Sequence, residues 1–346
     1  MNSPLDRLGA ALQRQWWSTP PTLAAHALRP LAALYGTLAR LHRLLSRPEH
    51  VGLPVVVVGN LIVGGAGKTP TTIAVVRLLR AYGWQPGVVS RGHGRRASGL
   101  VDVQANSRAG DCGDEPVLIH LRTGVPVMVG RNRVAAARAL RAAHPGVNII
   151  VADDGLQHHR LARDLQIVVF DERGVGNGLL LPAGPLREHL PTRREASTLV
   201  LYNAPRVTTT LSGWIATRRL AGVLSLADWW QGKTASAQGW SRLQGQPLLA
   251  AAGVAVPGRF FAMLRDHGLT PTRTLALPDH DAFEPLPWGD ETAHVVITEK
   301  DAVKLPPQRM LQLGSATQVW VAPLDFEPEV AFAAALKRHF PHPPEI

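Results

Sequence analysis

Short apolar runs alternate with amphipathic segments along most of the chain. Residues 55–58 are four consecutive valines behind Pro54, a run that predicts a strand buried on both faces. A glycine-rich turn at 59–67 follows, and TTIAVVRLLRAYG (71–83) has helical spacing. Further strands are expected at 86–90 (PGVVS), 125–130 (VPVMVG), 147–154 (VNIIVADD) and 165–172 (LQIVVFDE), with an alanine-rich helix at 133–143. Apolar strands alternating with helices predict a P-loop NTPase-like α/β core, a doubly wound and mostly parallel sheet. Ligands of such sheets bind beyond the carboxyl ends of the strands.

Beyond residue 205 the pattern becomes less regular, and 207–232 reads as a connecting strand pair. A second, smaller α/β lobe is expected after it, with strands at 246–254, 272–277, 294–298 and 318–323 and helices at 257–268 and 330–340. The N-terminal stretch has a different texture. Leu5, Leu8, Leu12 and Trp16, then Leu31, Leu34, Leu38, Leu41 and Leu45, recur at helical spacing, and the acid Asp6 stands against six arginines. A basic amphipathic segment with the pair Trp16-Trp17 fits a membrane interface; helices packed on the core are the alternative. The expected boundaries are 1–48 for this segment, 49–210 for the core and 211–346 for linker and second lobe.

Composition narrows the setting. One cysteine in 346 residues excludes an intrachain disulfide framework and a cysteine-rich zinc site, and fits a reducing compartment. No secretory signal pattern and no run near the ~18 apolar residues of a spanning helix are apparent. The formal charge of +11 implies an anionic partner. No helix-turn-helix, zinc-finger or RNA-recognition pattern accompanies it, so nucleic acid is not the expected partner.

The candidate chemistry lies where the sheet places it. Strand, glycine loop and helix in the order 54–72 form a phosphate cradle, in which Lys68 reaches the outer phosphates and the Thr69 hydroxyl can ligate Mg²⁺. The usual loop pattern has glycine at position 62, where this chain has Ile62. Asp153, Asp154 and Gln157 follow a strand directly, as metal-binding acids beside a phosphate loop do; Asp171, at the end of the next strand, competes for that role. Asp114, in GDEP, reads either as a general base or as an ordinary helix cap. SRGHGRR (90–96) and the loop carrying Arg187-Glu188 are built to hold anions or a surface ion pair. His280 lies between two acids.

GNLIVGGAGKTP, SRGHGRR, GDEP, ADDGLQH, the GNG–LLPAGPLRE stretch, AGVAVPGRFF, LPDHDAF and TEKDAVKL occur in the order in which the tetraacyldisaccharide 4′-kinase family has them, and the chain resembles that family over most of its length. The resemblance implies ATP-dependent, Mg²⁺-dependent phosphorylation of the 4′-hydroxyl of a tetraacylated glucosamine disaccharide 1-phosphate to lipid IVA, in lipid A biosynthesis, at the cytoplasmic face of the inner membrane. Without it, a kinase or ligase for a soluble metabolite and a membrane-bound nucleotide switch would remain open. It also implies that Asn60, Val63, Gly64, Gly65, Ala66, Gly67, Lys68, Thr69, Pro70 and Arg133 hold the nucleotide. Thr69, Asp153, Asp154 and Gln157 would lie at the metal. Asp114 would be the base with His280 its partner, and Lys68 and Arg187 would complete the catalytic set. His93 stands where the family commonly has tyrosine, Leu156 where it has phenylalanine and Asp281 where it often has a second histidine.

Overall fold

The structure, a computed structural model, describes Gly9 and residues 13–343. Leu5, Leu8, Leu12 and Asp6 of the first leucine repeat lie outside the described residues. The chain divides into two compact units, each assembled from separate segments: Met1–Pro86, Pro145–Thr217 and Pro328–Ile346 in the first, Gly87–His144 and Arg218–Glu327 in the second. This is not the contiguous partition read from the sequence. Residues 87–144 carry the same strand–helix alternation as their neighbours, and nothing in that period marks the unit to which they belong.

In the first unit the strands run in the order Trp214–Leu220, Thr198–Asn203, Leu165–Asp171, Val55–Gly59, Ile149–Asp153. Every neighbouring pair is parallel. Val55 to Val58 are at most 1% exposed, so the valine run is covered on both faces as expected. The register aligns the functional ends. Val58 pairs with Asp153 and with Ile167, and Asp171 pairs with Asn203, so the acids and the first glycine of the loop finish at one edge.

The helix after the loop is Lys68–Ala81, three residues longer at its start than the apolar spacing suggests. Pro70 falls in its first turn, where a missing N–H costs nothing. Thr198–Asn203 was not expected as a strand, although its six residues are all buried.

The second unit contains three further strands of the nine-stranded sheet and a five-stranded sheet of its own. Pro86–Ser90 pairs in parallel with Val127–Val129, which pairs antiparallel with Val101–Asp102. The five-stranded sheet has the order Arg273–Ala276, Leu248–Ala252, His294–Thr298, Gln318–Ala322, Leu224–Ser225, with only the last strand antiparallel. Trp240, Leu243, Phe260, Phe261 and Leu264 close the core over it. The stretch read as a linker supplies the Trp214–Leu220 and Leu224–Ser225 strands and a short helix, Leu226–Trp230.

At the N-terminus, Arg29–Leu45 is a single helix of 17 residues. Its inward face is small: Ala32 and Gly36 are buried, and a Cβ on Gly36 would come within 2.6 Å of Leu180 Cδ1. Its leucines point outward, with Leu34 and Leu38 each 57% exposed and Leu44 82%. The tryptophan pair, by contrast, turns toward the protein. Trp16 Nε1 donates to Pro182 O at 2.9 Å, and the Arg173 guanidinium lies 4.4 Å above the Trp17 ring. The outward apolar surface is therefore made of leucine and not of tryptophan. Among the described residues no helix is long and apolar enough to cross a membrane.

Candidate active site

Within the first unit the glycine loop is held by groups from every strand end beside it. Gly67, the residue before the helix, has φ +91°, and a Cβ there would sit 1.9 Å from Asn203 Nδ2, which donates to Ala66 O at 3.0 Å. Only glycine meets both the left-handed backbone and this approach. Gly67→Ala is expected to misplace the loop and cut nucleotide affinity at least about tenfold, read by calorimetry beside a thermal melt that confirms folding.

Ile62 is fully buried and forms an antiparallel bridge with Leu186. Arg187 N donates to Leu61 O at 2.7 Å, and Val63 N to Pro185 O at 2.9 Å. A β-branched residue suits a short buried ladder that a glycine would weaken, which is why this loop does without glycine at position 62. The ladder ties the segment that delivers Arg187 to the segment that opens the cradle.

Lys68 Nζ lies 3.4 Å from Asn60 Oδ1, 3.5 Å from Gly64 O and 3.7 Å from Asp154 Oδ1. Arg187 Nη1 is 3.6 Å from the same Asp154 oxygen and donates to Gln157 Oε1 at 3.1 Å. Gln157 Nε2 donates onward to Asn60 O at 3.2 Å and to Glu188 Oε1 at 3.4 Å. Two cations and a carboxylate thus converge at the mouth of the loop.

The three acids left open by the sequence differ in their commitments. Asp153 is 1% exposed and accepts from Thr72 Oγ1 at 2.8 Å. Asp171 is fully buried and ion-paired to Arg173, which also donates to Gly65 O at 2.8 Å. Asp154 keeps its side chain 32% exposed, on a backbone with φ +47°, and strain of this kind collects at functional positions. Among the described residues no group of three or more His, Cys, Asp or Glu could hold a metal by itself. Mg²⁺ ordinarily needs only one or two carboxylates beside phosphate oxygens and water, so Asp154 with the Thr69 hydroxyl fits that ion, Asp153 and Gln157 standing beside them.

A cavity of about 520 Å³ lies in the same unit. Its walls include Arg43 and Leu61, His159 and Arg163, and Glu188 and Arg193. Tyr35, on the leucine helix, donates its hydroxyl to Arg187 O at 3.1 Å.

In the second unit Asp114 is the first residue of the helix Asp114–Thr123, behind Gly113 at φ +95°. The cap of this helix is Gly113, with no side-chain cap bond, so Asp114 is not the cap residue; its Oδ1 accepts from the adjacent Glu115 N at 2.9 Å. Its Oδ2 faces His280 Nδ1 at 2.8 Å. Asp114 is 5% exposed. Burial would lift its pKa, but the His280 hydrogen bond and the ammonium groups of Lys300 and Lys304 outweigh it and hold the carboxyl below the usual range. His280 has φ +64°, and the Asp114 hydrogen bond pushes its imidazole up against burial and against Lys300. His93 lies with its ring 5.4 Å from that of His280. Asp281 Oδ1 accepts from Phe283 N at 2.8 Å, a turn within its own loop.

Arg133, expected at the phosphates, is 3% exposed and donates to Gly130 O at 2.9 Å, bracing the turn before its helix. Lys68 and Arg187 both stand beside Asp154. Sequence reasoning gave no role to Arg173, Asn203, Lys300 or Lys304. Arg173 was signalled only by its place two residues after Asp171, and the lysines only as part of TEKDAVKL.

Known proteins resemble this chain over most of its length. The family model described as tetraacyldisaccharide-1-P 4′-kinase matches residues 24–341. The chain is 58% identical to a tetraacyldisaccharide 4′-kinase of Methylibium petroleiphilum, over 95% of this chain and 93% of that protein. It is 51% identical to one from Leptothrix cholodnii, over 99% of each. Among solved structures, the crystal structure of LpxK from Aquifex aeolicus in complex with ATP has the same fold, with a TM-score of 0.73, 22% identity, and coverage of 92% of this chain and 100% of that one.

Proposed function

Because the chain belongs to the tetraacyldisaccharide-1-P 4′-kinase family, we propose that it transfers the γ-phosphate of ATP to the 4′-hydroxyl of tetraacyldisaccharide 1-phosphate, giving lipid IVA and ADP. The observation that carries the residue assignment is the presence, in one chain, of a lysine–arginine pair around Asp154 and a buried Asp114 held ionised by His280. Asp114 takes the proton of the 4′-hydroxyl as its oxygen bonds to the γ-phosphorus, and the bond from that phosphorus to the β–γ bridging oxygen breaks. Lys68 and Arg187 receive charge that spreads over the transferring group and the leaving oxygen. The backbone amides of 63–67 and the helix end at Lys68 cradle the phosphates. Thr69 and Asp154 would hold Mg²⁺, which neutralises phosphate charge when bound. A sugar hydroxyl is a weak nucleophile, so positioning and a base suffice and no covalent enzyme intermediate is needed.

Substrate and location follow the same reading. The cavity beside Arg187-Glu188 offers arginine to an anionic headgroup. Leucines that a packing helix would bury are outward on Arg29–Leu45, together with Arg29, Arg40 and Arg43, which suits the cytoplasmic surface of the inner membrane. Leu38→Glu with Leu41→Glu should reduce sedimentation with anionic vesicles about tenfold or more, since each removes a side chain worth roughly 1.5–3 kcal/mol when buried, while the melting temperature stays put. Undiminished sedimentation would remove the helix from the interface.

The decisive assay follows ³²P from ATP into detergent-dispersed tetraacyldisaccharide 1-phosphate with Mg²⁺. Absence of product from folded, ATP-binding protein would overturn the reading.

A further inference from the structure

Lys300 is a heavily committed cation of the second unit. Its side chain is 18% exposed, and its Nζ lies 3.1 Å from Asp279 Oδ1, 3.3 Å from Glu115 Oε1 and 3.3 Å from His280 Nε2. An ammonium has three N–H donors and no acceptor. Three donors therefore meet three partners, and the His280 ring must offer Nε2 as a lone pair. Its single proton then lies on Nδ1, toward the Asp114 carboxylate at 2.8 Å. An imidazolium at this position would aim an N–H at the Lys300 ammonium. Such a ring could turn only to Asp279, whose Oδ1 is 3.9 Å from Nε2 and already accepts from Lys300.

The placement of Lys300 is not left to a mobile loop. Its neighbour Glu299 is buried and bonded to Arg122, to Trp229 Nε1 at 2.9 Å and to Leu324 N at 3.0 Å. On the other side, fully buried Asp301 accepts from Thr298 Oγ1 at 2.7 Å, Gly253 N at 3.2 Å and Lys304 Nζ at 2.9 Å. Arg122 lies on the helix that begins with Asp114, so Glu299 fixes the base-bearing helix and the lysine-bearing turn together.

We propose that Lys300 is a positioning residue of the kinase reaction, which by donating to Nε2 fixes the neutral His280 ring in the tautomer with its proton on Nδ1, facing the Asp114 carboxylate. This rests on the assignment of Asp114 as the base. The chemical consequence is simple. A carboxylate beside imidazolium is a weaker proton acceptor than one beside imidazole. The groups facing His280 are Asp114, Asp279, Lys300 and the His93 ring, with Glu115 reached through Lys300 and Lys304 4.0 Å from Asp114. Of these, Lys300 is the cation in direct contact with the ring, and it opposes the upward pull of Asp114 on the histidine.

The test has two arms. Nitrogen-15 NMR of the wild-type imidazoles, with His280 identified by its loss in His280→Gln, should show a pyridine-type Nε2 in the neutral form. A pyrrole-type Nε2 overturns the proposal without any variant at Lys300. In the second arm His280 is titrated, and kcat/KM measured against pH, in wild type, Lys300→Met and Lys300→Arg. Lys300→Met should raise the His280 midpoint by about one pH unit and carry the acid limb of kcat/KM upward with it, whereas Lys300→Arg keeps both near wild type. An unmoved midpoint in folded Lys300→Met overturns the proposal. A midpoint that moves while the acid limb stays fixed in an active enzyme leaves Lys300 acting on His280 and removes Asp114 as the base, so the two failures are separate.

Discussion

Asp114→Asn should give a folded protein whose kcat falls by roughly 10²–10⁴, the span associated with loss of a general base, with KM for ATP little changed. Asparagine keeps the shape of the side chain and can still accept from His280 Nδ1, but it cannot take a proton. The substitution leaves no orphaned cation behind. Lys300 keeps Glu115 and Asp279, and Lys304 keeps Asp301. The pH dependence of stability gives a second readout. Asp114 is held below the usual carboxylate range, so its contribution is present above the ordinary aspartate value and is lost as pH falls through the depressed one. His280 is held above the usual histidine range, so its contribution is present below the ordinary value and is lost as pH rises through the raised one. The melting-temperature gap between wild type and Asp114→Asn should therefore be widest in mild acid and shrink in alkaline solution. A variant with near wild-type turnover would remove Asp114 from the chemistry.

Lys68→Ala should be about as damaging, with kcat reduced by at least ~10²–10³, the loss seen when one donor to developing charge is removed. The ammonium is only 10% exposed and stands 3.7 Å from Asp154, so its removal takes one of the cations from that carboxylate and leaves Arg187 at 3.6 Å. Lys68→Arg should not rescue turnover, because a planar fork cannot take the place of a compact ammonium between Asn60 Oδ1 and Gly64 O. Steady-state kinetics beside calorimetric ATP binding separates the two contributions of the lysine. A large fall in kcat with modestly weakened binding is the expected pattern, and unchanged kcat would assign Lys68 to the ground state alone.

Much of this site could be read in the chain because its residues are carried by local signals. The valine run, the glycine turn and the helix period fix the cradle, and acids that close apolar strands emerge at the edge where parallel sheets bind ligands. What the period could not carry was pairing between distant segments. Asp171 and Asp154 look alike as strand-end acids, and burial with the Arg173 ion pair separates them. Trp16 and Trp17 look like interface anchors until Pro182 and Arg173 are seen to hold them. The helix face that suggests burial, Leu31 to Leu45, is the exposed one, because its neighbour accepts the small residues Ala32 and Gly36 instead. Arg133 has the composition of a phosphate ligand, and its burial against Gly130 was not written in its neighbours.

The pairing of 61–63 with 185–187 has a consequence in entropy. Ordering a residue of free chain costs about 1–2 kcal/mol, and a loop that settled only around its ligand would return that amount from every contact it gained. Here Leu61, Val63 and Arg187 are tied by backbone hydrogen bonds, and Ile62 and Leu186 are buried with them. The arginine-bearing segment is thus ordered by folding itself. Under the proposed assignment, contacts of Lys68 and Arg187 with phosphate would appear in affinity close to their full strength, and a phosphate-sized ligand, too small to organise a mobile loop, would still find both cations in place.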